Sequence, residues 1–202
     1  YPHARILSYD VSKALAVPGV RAVVTGDDVE TAHRGGPFVK DEHAIAKHKV
    51  LYVGEPVAAV AADDVATARR AAMLIDIEYE ELPAVMSPEE GLAEGAPILH
   101  EALNDYATSI ELPLKGNLLQ ECEISSGDVD SAWAQCDLIV EGEFQTQGQY
   151  HAYMEPCSAI AEVDANGKLT VWSSNQSVFR DQANLAERLG LPMSRIRAIS
   201  PR

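Results

Sequence analysis

The chain has 202 residues, of which 47% are hydrophobic and 23% charged, a composition typical of a globular protein. Its formal net charge of −15 argues against a nucleic-acid partner, because phosphate binding needs a clustered basic surface. No apolar run approaches the roughly 20 residues that cross a bilayer, so no membrane span is predicted.

The first eighty-odd residues alternate short strands and helices. Strands are predicted over 4–9, 20–25, 57–62 and 75–79, and helices over 11–16 and from Asp63 or Asp64 onwards. The continuously apolar run 57–62 predicts a buried strand. Spacings of three and four residues predict one apolar helix face made of Val65, Ala68, Ala72 and Ile75. Together these elements indicate a compact domain over 1–86.

The segment 87–126 contains prolines and little periodicity, which predicts an extended linker on the surface. A second unit, 127–202, begins with a helix from Asp128 through Trp133 and a strand over 138–145. Strands over 159–163 and 169–173 follow, joined by an Asn-Gly turn. A helix capped by Ser177 is predicted to end at Gly190. The last predicted strand, 195–199, has no evident partner within the chain.

Cysteines and histidines are sparse and scattered. Cys122, Cys136 and Cys157 show no CxxC spacing, and three thiolates cannot ligate an all-cysteine iron–sulfur cluster. The cysteine usage favours a reducing cytoplasm. The six histidines lack the spacing of a zinc site.

The densest group of chemically versatile side chains lies between Gly148 and Pro156. An amide, an imidazole, a phenol and a carboxylate occur here at every second position, as Gln149, His151, Tyr153 and Glu155. The imidazole and the phenol are interpreted as anchors of the loop. The carboxylate precedes a proline, which favours extended backbone and a structural role. Cys157 is interpreted as a small buried residue, and Gly54-Glu55-Pro56 as a turn.

Six separated stretches resemble one family, the molybdenum hydroxylases, in the family's own order. This is the family of xanthine dehydrogenase, aldehyde oxidoreductase and the large subunit of carbon monoxide dehydrogenase. The stretches are 1–6, 52–61, 77–85, 127–130, 148–156 and 170–176. The resemblance implies an α+β fold, in which an α/β hammerhead domain precedes the first part of a molybdopterin-binding domain.

The resemblance also implies roles for individual residues. Gly148-Gln149 matches the pair that places a carboxamide beside the apical oxo ligand of molybdenum, so Gln149 is expected near the metal without ligating it. Gln176 matches a position expected near the pterin, although the family usually carries Thr-Gln-x-Pro where this chain has Asn-Gln-Ser-Val. The family's glutamate general base lies beyond Arg202, so no catalytic residue is expected within the chain.

The implied activity is hydroxylation of a carbon centre with water as the oxygen source. The implied cofactor is a molybdenum–pyranopterin (molybdopterin), including its cytosine dinucleotide form. FAD and 2Fe-2S clusters are expected on partner subunits or domains, together with the remainder of the molybdenum subunit and a small-molecule substrate. Purines, N-heterocycles, aldehydes and carbon monoxide all stay open as substrates.

Both ends of the chain resemble cuts through a longer polypeptide. The isolated chain is therefore expected to be incomplete and inactive, and to bind no molybdenum stoichiometrically. The alternative is a non-catalytic, hammerhead-type assembly module that lacks bound molybdenum.

Overall fold

The structure, a computed structural model, describes residues 1–29, 34–36, 38–108, 115–119, 121 and 123–201. Pro113, Cys122 and Arg202 lie outside these residues. The strands and α-helices, in chain order, are β1 (Ala4–Asp10), α1 (Ser12–Leu15), β2 (Val20–Thr25), β3 (Lys49–Val50), β4 (Ala58–Ala62), α2 (Val65–Ala72), β5 (Asp76–Glu81), α3 (Pro88–Leu92), α4 (Val129–Trp133), β6 (Ala159–Val163), β7 (Leu169–Ser173), α5 (Val178–Leu189) and β8 (Ile196–Ile199). Short 3₁₀ turns cover Gly26–Asp28, Leu103–Asp105 and Met193–Arg195.

The first sheet has the strand order β3-β1-β5, and both pairings are antiparallel. Its core consists of Ala4, Ile6, Ala46 and Val50, against which Tyr79 packs. Strand β3 was not predicted, because its two residues show no alternation of their own. Pairing with β1 defines it.

The second sheet pairs β2 with β4 in antiparallel fashion, and α2 packs on it. The prediction of a buried strand at 57–62 is wrong, since residues of β4 alternate between half-buried and exposed. The strand has only one partner among the described residues, and only alternate residues face covering structure.

The predicted apolar face of α2 is not its most buried face, since Ala68 and Ile75 are only half-buried. Thr67 and Ala71 are buried, whereas Val65 is 66% exposed. Asp64 is the N-cap, and its carboxylate accepts bonds from the backbone N–H and the hydroxyl of Thr67, both at 2.8 Å. This local bonding satisfies the threonine hydroxyl and allows a polar residue to be buried there.

Part of the segment predicted to be extended is folded. Helix α3 is capped by Ser87, and the 3₁₀ turn buries Leu103. The side chain of Asn117 donates to the carbonyls of Gly91 and Pro97 and accepts from the N–H of Leu99, each at 2.9 Å. A single amide therefore organises this stretch, which explains why hydrophobic periodicity did not reveal it.

The third sheet has the order β6-β7-β8, and its hairpin strands have the predicted bounds. The expectation that the last strand has no partner is wrong, because β8 pairs in parallel with β7. Leu169, Val171 and Ile196 form the core, and Leu185 of α5 packs against them. Parallel pairing across a helix is a long-range contact that the strand's own sequence does not carry.

The strand predicted over 138–145 is absent from the structure. The chain is exposed there, with Val140 83% and Phe144 94% accessible, and no described residue pairs with it. Alternation alone does not form a strand without a neighbouring strand. The preceding helix α4 does form as predicted, with the Asp128 carboxylate accepting from the N–H of Ser131.

A polar cluster joins the loop before β3 to the segment after α3. Arg34 donates to Nε2 of His43 at 3.2 Å, and its guanidinium lies 4.5 Å from the ring centre of Tyr106. Nδ1 of His100 lies 3.4 Å from the Tyr106 hydroxyl. Burial, reinforced by Arg34, lowers the pKa of His43, and burial also lowers the pKa of His100.

Helix α5 ends as predicted at Gly190, which is left-handed with φ 62°. The residue before the helix, Ser177, makes no capping bond with its side chain, contrary to prediction.

We expect Gly190→Ala to lower the free energy of unfolding by about 1 kcal/mol, because a Cβ disfavours the left-handed conformation of this residue. Urea denaturation of both proteins measures this difference in the free energy of unfolding. Gly148→Ala, where no described atom lies within 4 Å of an added Cβ, is the control, expected within about 0.5 kcal/mol of the parent. Equal effects of both changes would contradict the prediction.

The lowered pKa values of His43 and His100 predict acid sensitivity. Between the folded pKa values and the unfolded value of about 6.5, the unfolded chain binds more protons. The contribution of these two histidines to the free energy of unfolding is therefore fully present above about pH 6.5. It is lost as the pH drops towards their pKa values in the folded protein. Unfolding at about pH 7.5 and pH 5.5 measures this loss. Replacing both histidines with glutamine should reduce it, and an unchanged loss would contradict the assignment.

Candidate cofactor site

The segment Gly148–Pro156 lies between α4 and β6 and belongs to neither a helix nor a strand. Ala152 has φ 50°, and it is the only non-glycine residue in the described part of the chain with a positive φ. Such backbone costs about 1 kcal/mol or more and is concentrated at functional sites. Tyr150 and Tyr153 flank this residue in the sequence, and their ring centres lie 6.2 Å apart.

Alternate residues of this segment line a cleft of about 490 Å³. His151, Tyr153, Glu155 and Cys157 contribute from one side, and residues 174–176 close the other. Every second residue from 151 to 157 therefore belongs to the lining. The volume falls in the range of about 300–1,000 Å³ that small-molecule sites occupy.

Hydrogen bonds at the end of β7 hold the two walls of the cleft together. The N–H of Ser174 donates to the carbonyl of Ser158 at 3.3 Å, and the N–H of Ser158 donates to the Ser174 hydroxyl at 3.3 Å. These bonds continue the β6–β7 pairing by one residue on each strand. The pairing therefore places the segment that precedes β6 beside the segment that follows β7.

The side chain of Asn175 is held with a defined orientation. Its Nδ2 donates to the carbonyl of Ser173 at 3.1 Å and to that residue's hydroxyl at 2.9 Å. A carbonyl only accepts, so the amide cannot be reversed. Its Oδ1 is consequently left buried without a hydrogen-bond partner among the described residues. An acceptor in this state costs about 1–3 kcal/mol and indicates a missing donor.

The structure brings only part of the predicted set together. Gln176 lines the cleft, whereas Gly148 and Gln149 are exposed and lie outside the lining residues. Cys157 lines the cleft as an exposed thiol, so its interpretation as a buried residue is wrong. Ser174 and Asn175 were not predicted as site residues, although Asn175 marks a departure from the family's Thr-Gln pattern.

Glu55 lies in a turn, as predicted, and does not line the cleft. Its carboxylate accepts from the N–H of Leu51 at 2.6 Å, and Gly54 has φ 95°. Burial raises the pKa of the Glu55 carboxyl. The turn closes onto the first sheet, because the N–H of Ala46 donates to the carbonyl of Pro56 at 2.7 Å.

Neither a metal-binding cluster nor a membrane-spanning helix occurs in the described residues. No group of three or more His, Cys, Asp or Glu side chains in them is arranged to hold a metal ion. Within the same residues, no helix has the length and apolar character needed to cross a bilayer.

Two family profiles match the chain on either side of the central segment. The aldehyde oxidase and xanthine dehydrogenase a/b hammerhead domain matches residues 1–83, and the molybdopterin cofactor-binding domain matches residues 112–202. The chain belongs to the molybdenum hydroxylase family. The predicted combination of a hammerhead domain and a molybdopterin-binding domain with mixed helix and strand content is confirmed. The boundaries at 86/87 and 126/127 stay predictions.

Relatives and solved structures agree with this assignment. The large molybdopterin subunit of nicotinate dehydrogenase from Eubacterium barkeri is 36% identical over 198 residues, which cover 98% of this chain and 44% of that protein. Aldehyde oxidoreductase from Desulfovibrio gigas superposes with a TM-score of 0.82 at 30% identity, covering 98% of this chain and 22% of that one. CO dehydrogenase from Oligotropha carboxidovorans superposes with a TM-score of 0.84 at 29% identity, covering 100% of this chain and 26% of that one. The chain thus spans less than half of each.

The polar atoms of the cleft complement those of a pterin, whose edge carries both N–H donors and carbonyl or ring-nitrogen acceptors. The buried Oδ1 of Asn175 lacks a donor, and Gln176 offers both an amide donor and an acceptor. His151 and Tyr153 add further polar atoms on the opposite wall. The donor and acceptor set is therefore compatible with a pterin edge.

Proposed function

We propose that the chain provides part of the molybdenum-cofactor site of an oxidoreductase that hydroxylates a carbon centre. The oxygen comes from water, the substrate is a purine, an N-heterocycle or an aldehyde, and electrons leave through Fe–S clusters and FAD on partner domains. The observation that carries the proposal is the cleft in which residues 151–157 meet residues 174–176. It lies wholly within the part matched by the molybdopterin cofactor-binding profile.

In this proposal, the residues of the chain bind the cofactor and orient it. Asn175 accepts from a pterin N–H through its buried Oδ1, and the Gln176 amide bonds the same edge. The Ser158–Ser174 bonds hold the two walls beside each other. When bound, the molybdenum cofactor supplies the redox chemistry, and the protein positions it and tunes it.

Gln149 is proposed to donate a hydrogen bond to the oxo ligand of the metal. Its side chain is exposed here, so it is accessible to a group approaching from outside the described residues. A neutral amide donates to an oxo group without adding charge beside it. Partners that orient metal-bound groups in this way typically contribute about 10–100-fold to affinity or activity.

We expect Gln149→Glu to lower turnover of the assembled enzyme at least about tenfold, because a carboxylate cannot donate and repels the oxo ligand. Molybdenum content, measured by mass spectrometry of the same samples, should stay unchanged. Steady-state turnover with each substrate class gives the comparison and also identifies the substrate.

Gln147→Glu is the matched control, since it introduces the same charge two residues away in the same exposed stretch. It should retain parental turnover. Equal losses in both variants would contradict a specific role for Gln149. A fully assembled protein without molybdenum would instead support the non-catalytic assembly module.

A further inference from the structure

A second cleft, of about 420 Å³, lies between the loop that precedes β3 and one face of α5. Its lining comprises Gly36, Phe38, Lys40, Glu42, Arg180, Asn184 and Arg188. It shares no lining residue with the candidate cofactor cleft between residues 151–157 and 174–176.

The charge of this cleft opposes the charge of the chain. Acidic residues outnumber basic ones by 31 to 16 overall, yet three basic side chains and a single carboxylate line the cleft. Arg180, Asn184 and Arg188 follow one another at intervals of four, so they share a face of α5. Lys40 approaches from the loop opposite. A concentration of cations on an acidic protein favours an anionic ligand.

Ion pairs hold the two sides of this cleft in position. Nζ of Lys40 lies 2.9 Å from a carboxylate oxygen of Glu187, and Nη2 of Arg188 lies 3.0 Å from one of Glu42. The loop is closed on itself by reciprocal backbone bonds between Gly35 and Glu42, at 2.8 and 2.9 Å. A Cβ on Gly35 would lie 2.2 Å from the Arg188 guanidinium, so a larger residue here would require the arginine side chain to shift.

The pairing leaves donors available for a ligand. Among the described residues, the side-chain hydrogen bonds of Arg188 and Lys40 use one N–H group each, out of five and three respectively. Arg180 is exposed, and no carboxylate among the described residues pairs with it. The planar guanidinium matches the geometry of carboxylate and phosphate groups.

The cleft also has an apolar component. The ring of Phe38 lines it and is 55% exposed. An accessible aromatic ring beside cationic groups favours a ligand that combines a flat ring with an anionic group, because the ring can stack while the anion binds the guanidinium.

We propose that this cleft binds a small aromatic anion, with Arg180 as the principal contact to its carboxylate or phosphate group. The carboxylate and phosphate classes share this chemistry, and two probes distinguish them. Benzoate represents the aromatic carboxylates and adenosine monophosphate the aromatic phosphates, while neutral benzamide tests the need for charge.

Calorimetric titration of the full chain at low salt gives the test. At least one anionic probe should bind, more weakly as salt increases, and benzamide should not. Arg180→Gln should weaken binding about tenfold, as expected for loss of a charged hydrogen-bonding group, and Arg180→Lys should recover part of it.

Arg69→Gln, which removes an exposed arginine from α2, is the control and should change affinity by less than about twofold. Thermal melting of each variant checks that the fold is intact. Absence of binding by both anions, equal binding of benzamide, or equal weakening in the two glutamine variants would overturn the proposal.

Discussion

The pairing of β7 with both of its neighbours is the constraint on which the proposed site depends. The strand is bonded to β6 in antiparallel fashion and to β8 in parallel fashion, so its register is set on both sides. Its last pair, Ala159 with Ser173, is extended by the bonds between Ser158 and Ser174. The segments on either side of that point, 151–157 and 174–176, are therefore held face to face and form the cleft.

A second set of contacts connects the two halves of the chain. The ion pairs Lys40–Glu187 and Glu42–Arg188 join residues separated by 147 and 146 positions in the sequence. Each pair is half-buried at best and contributes only about 0–1 kcal/mol, so their effect is to orient rather than to stabilise strongly. They link the loop that precedes β3 to α5, the helix that begins just after the cleft residue Gln176.

Local signals in the sequence predicted the elements that depend on local interactions. The bounds of β6 and β7, the cap at Asp128 and the left-handed end at Gly190 all follow from residues within a few positions of each other. The partner of β8 and the fold around Asn117 depend on distant residues, so periodicity could not reveal them. The resemblance identified the family and Gln176, but it gave no indication that Cys157 and Asn175 line the same cleft.

The exposed thiol of Cys157 provides the most direct test of the claim that the cleft holds the cofactor. Cys136 is also free and exposed, but it does not line the cleft, so it serves as an internal control. Both should react with a maleimide in the cofactor-free protein, with the modified peptides quantified by mass spectrometry. Bound molybdopterin should slow the labelling of Cys157 and leave that of Cys136 unchanged. Equal labelling of Cys157 in the loaded and cofactor-free proteins would contradict the account.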